Sequence, residues 1–376
     1  MSDEEGATTT MHMSKFARLS TITIAAVVVA AVSAGPASAG AGVRAVKVAR
    51  GLNGPAAFTF TPKGTIVYLE RQTGKIRFRN PKTGFDRLFF DIAGVSGSGE
   101  RGALGVALHP RWPQKKIVYV FVTRRAGGKL RNQIVRIKDR NGHGAGLTTI
   151  LSTPASSSPY HNGGRIVFGP DRKLYAIVGD GHTASNAQDT TKNLRGKILR
   201  MNPDGSVPGA NPLIGGKRSR IFAFGIRNSF GFAFDPQTGF LWETENGPEC
   251  NDEINLVRRG GNYAWGANQN CPNTNQDGPA PRRLPELNFS STIGITGAAF
   301  CDGCGLSGRN GDLLFGACCD GGLLRRVTLD AARDDIVGGP ITMLDSPGGS
   351  ILSMEVGPNG RIYFSDFNAI YRIRNA

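Results

Sequence analysis

One unit recurs along this chain and limits what it can fold into. An aromatic or aliphatic residue is followed by a proline, a turn carrying Gly, Asn or Asp, and a run of β-forming residues. The unit reads FTPKGTIVYLE from Phe60, LHPRWPQKKIVYVFVT from Leu108, FGPDRKLYAIVGD from Phe168, FDPQTGFLWETE from Phe234 and VGPNGRIYFSD from Val356. A degenerate copy, GRNGDLLFGA, starts at Gly308. Gly, Asn and Asp supply the backbone angles of a tight turn, so each unit predicts two strands and their connection. The prolines at 62, 110, 170, 236 and 358 open with intervals of 48, 60 and 66 residues. Such periods suit propeller blades with loop insertions better than βαβ units, whose crossover helices have no counterpart in the pattern. Six units predict an all-β fold, a six-bladed β-propeller, where a β-sandwich needs fewer. The run from Val43 to Leu52 is predicted to add a strand to the last blade. The polar, Gly-, Asn- and Pro-rich stretches 181–215, 246–290 and 301–307 are predicted to be long loops stacked over one face of the central channel.

The first 39 residues stand apart. Lys15 and Arg18 precede the apolar run Leu19 to Val32, and Ala37-Ser38-Ala39 follows. That order of basic, apolar and small residues predicts a signal peptide, although Asp3, Glu4 and Glu5 are unusual ahead of one. A membrane span needs nearer ~20 apolar residues, so residues 40–376 are expected to form a secreted or extracytoplasmic domain with no span. The whole chain of 376 residues carries a net charge of +16, which draws a protein toward polyanions and anionic cell surfaces. Base-reading motifs are absent and the basic residues are scattered, which argues against nucleic acid as a specific ligand. All six cysteines lie late, at 250, 271, 301, 304, 318 and 319. After an export signal they predict disulfides of open pairing. The alternative, a metal site at CDGC, lacks a second well-spaced pair.

The stretch PYHNGGRIVFGPDRKLYAIVGDG, residues 159–181, is the sharpest candidate for chemistry. An imidazole titrates near neutrality and can act as a base. Gly163 and Gly164, close behind His161, would let a ligand lie against the backbone. His161 and Asp180 fall at the two ends of one predicted hairpin. If the strands pair, both reach the same rim and form an imidazole–carboxylate couple. The bland reading is a hydrogen-bonded turn histidine and a turn-capping aspartate. In IFAFGIRNSFGFAFDP, Arg227 and Asn228 interrupt an aromatic strand and offer a positive fork with amide donors, suited to a carboxylate, a quinone oxygen or an oxyanion. Glu245, Glu249, Asp252 and Glu253 crowd one loop. They invite calcium, or else pair with Arg258 and Arg259.

Taken together, ERGALGVALHP, the His161–Asp180 segment, GKILRMNPDGSVPGANP, GIRNSFGFAFDP and GPECNDEINLVRRGGNYAWG resemble the soluble glucose/sorbosone dehydrogenase family from about residue 50 to 374. The resemblance implies a six-bladed propeller using pyrroloquinoline quinone (PQQ) and calcium to oxidise sugars. It implies that His161 is the base taking the sugar hydroxyl proton, that Asp180 orients it, and that Arg227 and Asn228 contact the quinone. It places the calcium on the carbonyls of Gly247 and Pro248, with Asp252 and Glu253 nearby as further candidate metal residues. Three positions depart from the family pattern: Asp320, Ser350 and Leu352 stand where a lysine and two arginines are usual. The quinone carries three carboxylates, so losing three cations should weaken its binding. Arg325 or Arg326 would be the compensating charges.

The expected activity is oxidation of an aldose sugar, with electrons leaving to a separate acceptor because no CxxCH haem motif is present. The alternative is a non-catalytic secreted propeller that binds a cell-wall glycan or a partner protein, since one fold hosts many functions. A calcium-dependent lactone hydrolase would instead need Asp180, Asp252 and Glu253 to converge on the channel.

Overall fold

The structure, a computed structural model, describes residues 42–267, 271 and 279–376. The expected leader lies outside the described residues. Six four-stranded antiparallel sheets follow one another along the chain, as the repeat predicts. Their innermost strands are Phe58–Phe60, Ala103–Leu108, Ile166–Phe168, Ser229–Phe234, Ile295–Phe300 and Ser353–Val356. Each touches the next, and the last touches the first, so the inner strands close a ring. The fold is an all-β, six-bladed propeller. Its one described helix, Ser185–Gln188, is a single turn.

The repeated Pro-turn unit is the hairpin joining the inner strand of each blade to its second strand. Pro62, Pro110, Pro170, Pro236 and Pro358 all sit there, and the degenerate copy occupies the same place in blade 5. All six turns therefore point to one end of the channel, and the segments that lead into the inner strands gather at the other. Val43–Arg50 pairs with Ala369–Asn375, so the last blade takes its outer strand from the start of the domain, as expected. Second strands such as Ile66–Leu69, Leu174–Val178 and Leu241–Glu245 are buried along their whole length. Facing sheets bury aliphatic and aromatic side chains between blades, as with Leu104, Tyr119, Ile134, Leu174 and Leu199 between blades 2 and 3.

The long excursions are not loops throughout. Within 181–215 lies Lys197–Met201, the third strand of blade 3. Within 246–290 lie Asp252–Val257 and Leu287–Phe289, the outer half of blade 4. The described cysteines pair as Cys250–Cys271, Cys301–Cys304 and Cys318–Cys319, so CDGC closes on itself as a disulfide.

Candidate functional site

The Ile166–Phe168 and Leu174–Val178 strands pair antiparallel, which brings the residues before the first and after the second to one end. His161 and Asp180 meet there, with Nδ1 2.8 Å from Oδ1. Both are buried, and the aspartate is 1 % exposed. The His161 backbone has a φ of 58°, a left-handed conformation that costs a non-glycine residue energy and is kept where surrounding contacts enforce it. Those contacts are visible. Glu100 Oε2 accepts the His161 N–H at 2.7 Å, and Gly181 N–H donates to the His161 carbonyl. The two glycines serve chain packing and not a ligand: a Cβ on Gly163 would strike Gly179 N and Ile177 O, and one on Gly164 would strike Leu104.

Asp180 is held on every side. Its Oδ1 also accepts the His182 N–H at 2.7 Å, and its Oδ2 accepts Trp265 Nε1–H at 2.7 Å. A carboxylate accepting at Nδ1 keeps the proton on that nitrogen and leaves Nε2 with a lone pair to receive another. The edge of the His182 ring meets the His161 ring, with centroids 4.7 Å apart.

Arg227 and Asn228 lead into the inner strand of blade 4. The Arg227 carbonyl accepts the Asp180 N–H at 2.8 Å, which fixes the pair beside the couple. The Arg227 guanidinium lies over the Trp265 ring, 5.3 Å from its centroid, and donates to the Asn246 carbonyl at 2.8 Å. Burial lowers its pKa, although a guanidinium remains charged. Asn228 Nδ2 donates to Glu100 Oε2 at 3.0 Å. Two polar atoms here, Arg227 Nε and Asn228 Oδ1, are buried without a hydrogen-bond partner. Buried polar groups are normally satisfied, so these two are what a polar ligand would meet.

The segment after Leu241–Glu245 completes the rim. The Gly247 N–H donates to Asp252 Oδ1 at 2.9 Å, while Asp252 Oδ2 accepts from the backbone N–H groups of Ile293 and Gly294, each at 2.8 Å. Asp252 is thus a staple between two loops, whatever part it has beside a metal. Glu253 faces into the sheet: it pairs across from Glu245, and its Oε2 accepts from Asn255 at 3.1 Å. With Glu243 and Glu245 it forms a buried carboxyl column. Burial pushes Glu243 up to about 7, and burial with neighbouring carboxyls raises Glu245 well above the ordinary range. Among the described residues no group of three or more His, Cys, Asp or Glu side chains is arranged to hold a metal. The convergence that a lactone hydrolase would need, of Asp180, Asp252 and Glu253, is likewise not formed, since each carboxylate is directed at different partners. Gly247 and Pro248 differ: among the described residues neither carbonyl accepts a hydrogen bond, which fits a cation held by backbone oxygens. Arg258 and Arg259 do not neutralise the acidic loop. Arg258 pairs with Asp334 at 3.0 Å, and Arg259 donates to the Ala210 and Asn211 carbonyls.

The departing positions are also defined. Asp320 forms an ion pair with Arg325 at 2.6 Å. Ser350 Oγ–H donates to the Cys318 carbonyl, and the Leu352 carbonyl accepts from Arg165. Arg326 is committed to Asp312 at 2.6 Å and does not replace a missing cation. Arg325 keeps one nitrogen, Nη1, buried and without a partner.

A ring of inner strands with a buried histidine–aspartate couple, an arginine–asparagine pair and two free loop carbonyls at one channel end defines a class: propellers with a polar ligand site at the channel mouth. Within that class, residues 52–371 match the glucose/sorbosone dehydrogenase family model. The chain belongs to that family. It is 35 % identical over 245 residues to quinoprotein glucose dehydrogenase B of Acinetobacter calcoaceticus, covering 57 % of this chain and 50 % of that protein. The match thus spans about half the length of that relative. Against the aldose sugar dehydrogenase of Escherichia coli (strain K12) it is 27 % identical over 332 residues, covering 83 % of this chain and 86 % of that one. The PQQ-bound form of aldose sugar dehydrogenase from Streptomyces coelicolor superposes with a TM-score of 0.76 at 27 % identity, over 88 % of this chain and 97 % of that one.

Proposed function

We propose that this chain is a secreted or extracytoplasmic, PQQ- and calcium-dependent dehydrogenase that oxidises an aldose sugar at its anomeric hydroxyl to the lactone. The observation that carries this reading is the His161–Asp180 couple, 2.8 Å apart and locked by Trp265 to the Arg227 side of the site. His161 Nε2 takes the hydroxyl proton while Asp180 holds the Nδ1 proton and balances the imidazolium. Bound PQQ would supply the two-electron acceptor for the substrate hydride. Arg227 and Asn228 would hold it through the polar atoms they leave unpartnered, and Gly247 and Pro248 would hold calcium through their carbonyls. A separate acceptor then collects the electrons.

The residues support a weaker quinone site than the family pattern implies. Asp320, Ser350 and Leu352 bring no positive charge, and Arg325 is shared with Asp320. That observation favours the second reading, a propeller that binds a glycan or partner without oxidising it. Titrating the purified protein with PQQ and calcium, while following absorbance and dye reduction across a panel of aldoses, separates the two. Saturable binding with dye reduction supports the dehydrogenase. Saturating cofactor with no oxidation of any aldose leaves the binding reading. Export is checked by mass spectrometry of the secreted protein, which should begin at Gly40.

A further inference from the structure

The channel end opposite His161 carries a cleft of about 780 Å³ between blades 6 and 1. Its charged lining is Lys47, Lys63, Lys82 and Arg372, with no carboxylate among its residues. None of these four forms an ion pair among the described residues. Lys47, Lys63 and Lys82 are exposed, and Arg372 Nε is buried with no acceptor. Four like charges held around one cleft repel one another, a cost that a multivalent anion would reverse.

The floor of the cleft narrows the choice of anion. Phe60 and Tyr363 lie with ring centroids 4.7 Å apart, flanked by Pro62 and Pro358, and give an apolar face of the size of a sugar ring. Thr65, Asn80 and Asn359 add neutral hydrogen-bonding groups. The cleft does not end there. Pro62, Lys63, Thr65 and Asn80 also line a neighbouring cleft of about 710 Å³, toward blade 2, which adds Arg87 and Lys116. The only carboxylate of that second cleft, Asp139, accepts the Gly142 N–H at 2.6 Å. Two basic clefts that share a wall fit an extended chain with repeating charge better than a small anion.

We propose that this face binds an anionic polysaccharide, with Lys47, Lys63, Lys82 and Arg372 facing the charges and the Phe60–Tyr363 pair facing a sugar ring. The site lies at the other end of the channel from His161, so a tethered molecule keeps its reaction end open. The inference is independent of the dehydrogenase reading.

The test is binding of the purified protein to polygalacturonate, beside duplex DNA at equal charge concentration and neutral dextran at equal mass concentration. The K47Q/K63Q/K82Q variant should bind polygalacturonate at least about tenfold more weakly, and parent affinity should fall steeply with added salt. A K129Q/K192Q variant, which removes two exposed lysines outside both clefts, should stay within about twofold of the parent. Thermal melts confirm that both variants fold. Parent-like binding by the triple variant, equal loss in the control, or tighter binding to dextran or to DNA than to polygalacturonate would each overturn the proposal.

Discussion

Trp265 joins the two halves of the site through one ring: its Nε1–H satisfies Asp180, and its face carries Arg227. Trp265→Phe keeps the ring but leaves Asp180 Oδ2 short of a donor, a loss of about 1–3 kcal/mol for a buried acceptor. Calorimetry should record that destabilisation, and turnover should fall with it because the imidazole is held less firmly. An unchanged melt would show that the indole N–H holds nothing. His161 and Asp180 were legible in the sequence because one hairpin brings them together, a short-range matter of strand pairing. Trp265 and Glu100 were not assigned roles, since 85 residues separate Trp265 from Asp180 and 61 separate Glu100 from His161. No local pattern reports contacts across that distance. The two glycines after His161 were legible as necessary, but what crowds them is the protein itself: backbone of Ile177 and Gly179 at Gly163, and the Leu104 side chain at Gly164.

At the scale of the element, the loop from Gly247 to Asp252 depends on a carboxylate that accepts backbone N–H groups from two segments. Asp252→Ala should unfold at lower temperature whether or not calcium is present, by about 1–3 kcal/mol per donor left unsatisfied. Calcium itself should raise the melting temperature of the parent, because a ligand bound only by the folded state stabilises it. A chelator that changes neither the melt nor the cofactor titration would count against the Gly247 and Pro248 carbonyls as its site. The Cys250–Cys271 bridge closes the same region, and cross-links of this kind contribute ~2–4 kcal/mol, largely through the unfolded chain. Reduction should therefore lower the melt. The strands of this segment were missed because Asp252, Glu253 and Asn255 are buried polar residues on a strand, where the usual apolar alternation is absent.

For the whole molecule, the ring is fastened where Val43–Arg50 joins the last blade, and the channel is clipped by Arg165. That side chain donates to the Phe230 and Leu352 carbonyls and to Ser353 Oγ, and so ties blades 3, 4 and 6. Glu355 shares the channel with it, and burial pushes the Glu355 carboxyl up to about 8. Its unfolded value is near ~4.3, so the folded state holds an extra proton between those limits. The stability it contributes is complete below the lower value and lost as pH rises through about 8. Glu355→Gln should shrink the fall in melting temperature across that window, and a profile parallel to the parent's would contradict it. Lys197 acts in the opposite sense: burial depresses its ammonium to about 7, so its contribution grows as pH rises above that value. Comparing variant with parent isolates Glu355. The number of blades and the closing strand were legible because the inner-strand turn repeats. The contacts that hold the buried Arg165 were not, because they come from other blades.

The central claim is that His161 receives the proton of the substrate hydroxyl. The measurement that tests it most directly is kcat of His161→Ala on an aldose oxidised by the parent, with saturating PQQ and calcium, alongside its melt. The account predicts a kcat lower by about 10²–10⁴-fold, the usual worth of a positioned proton acceptor, in a variant that still folds and binds cofactor. A variant that folds, binds cofactor and turns over at the parent rate would contradict it.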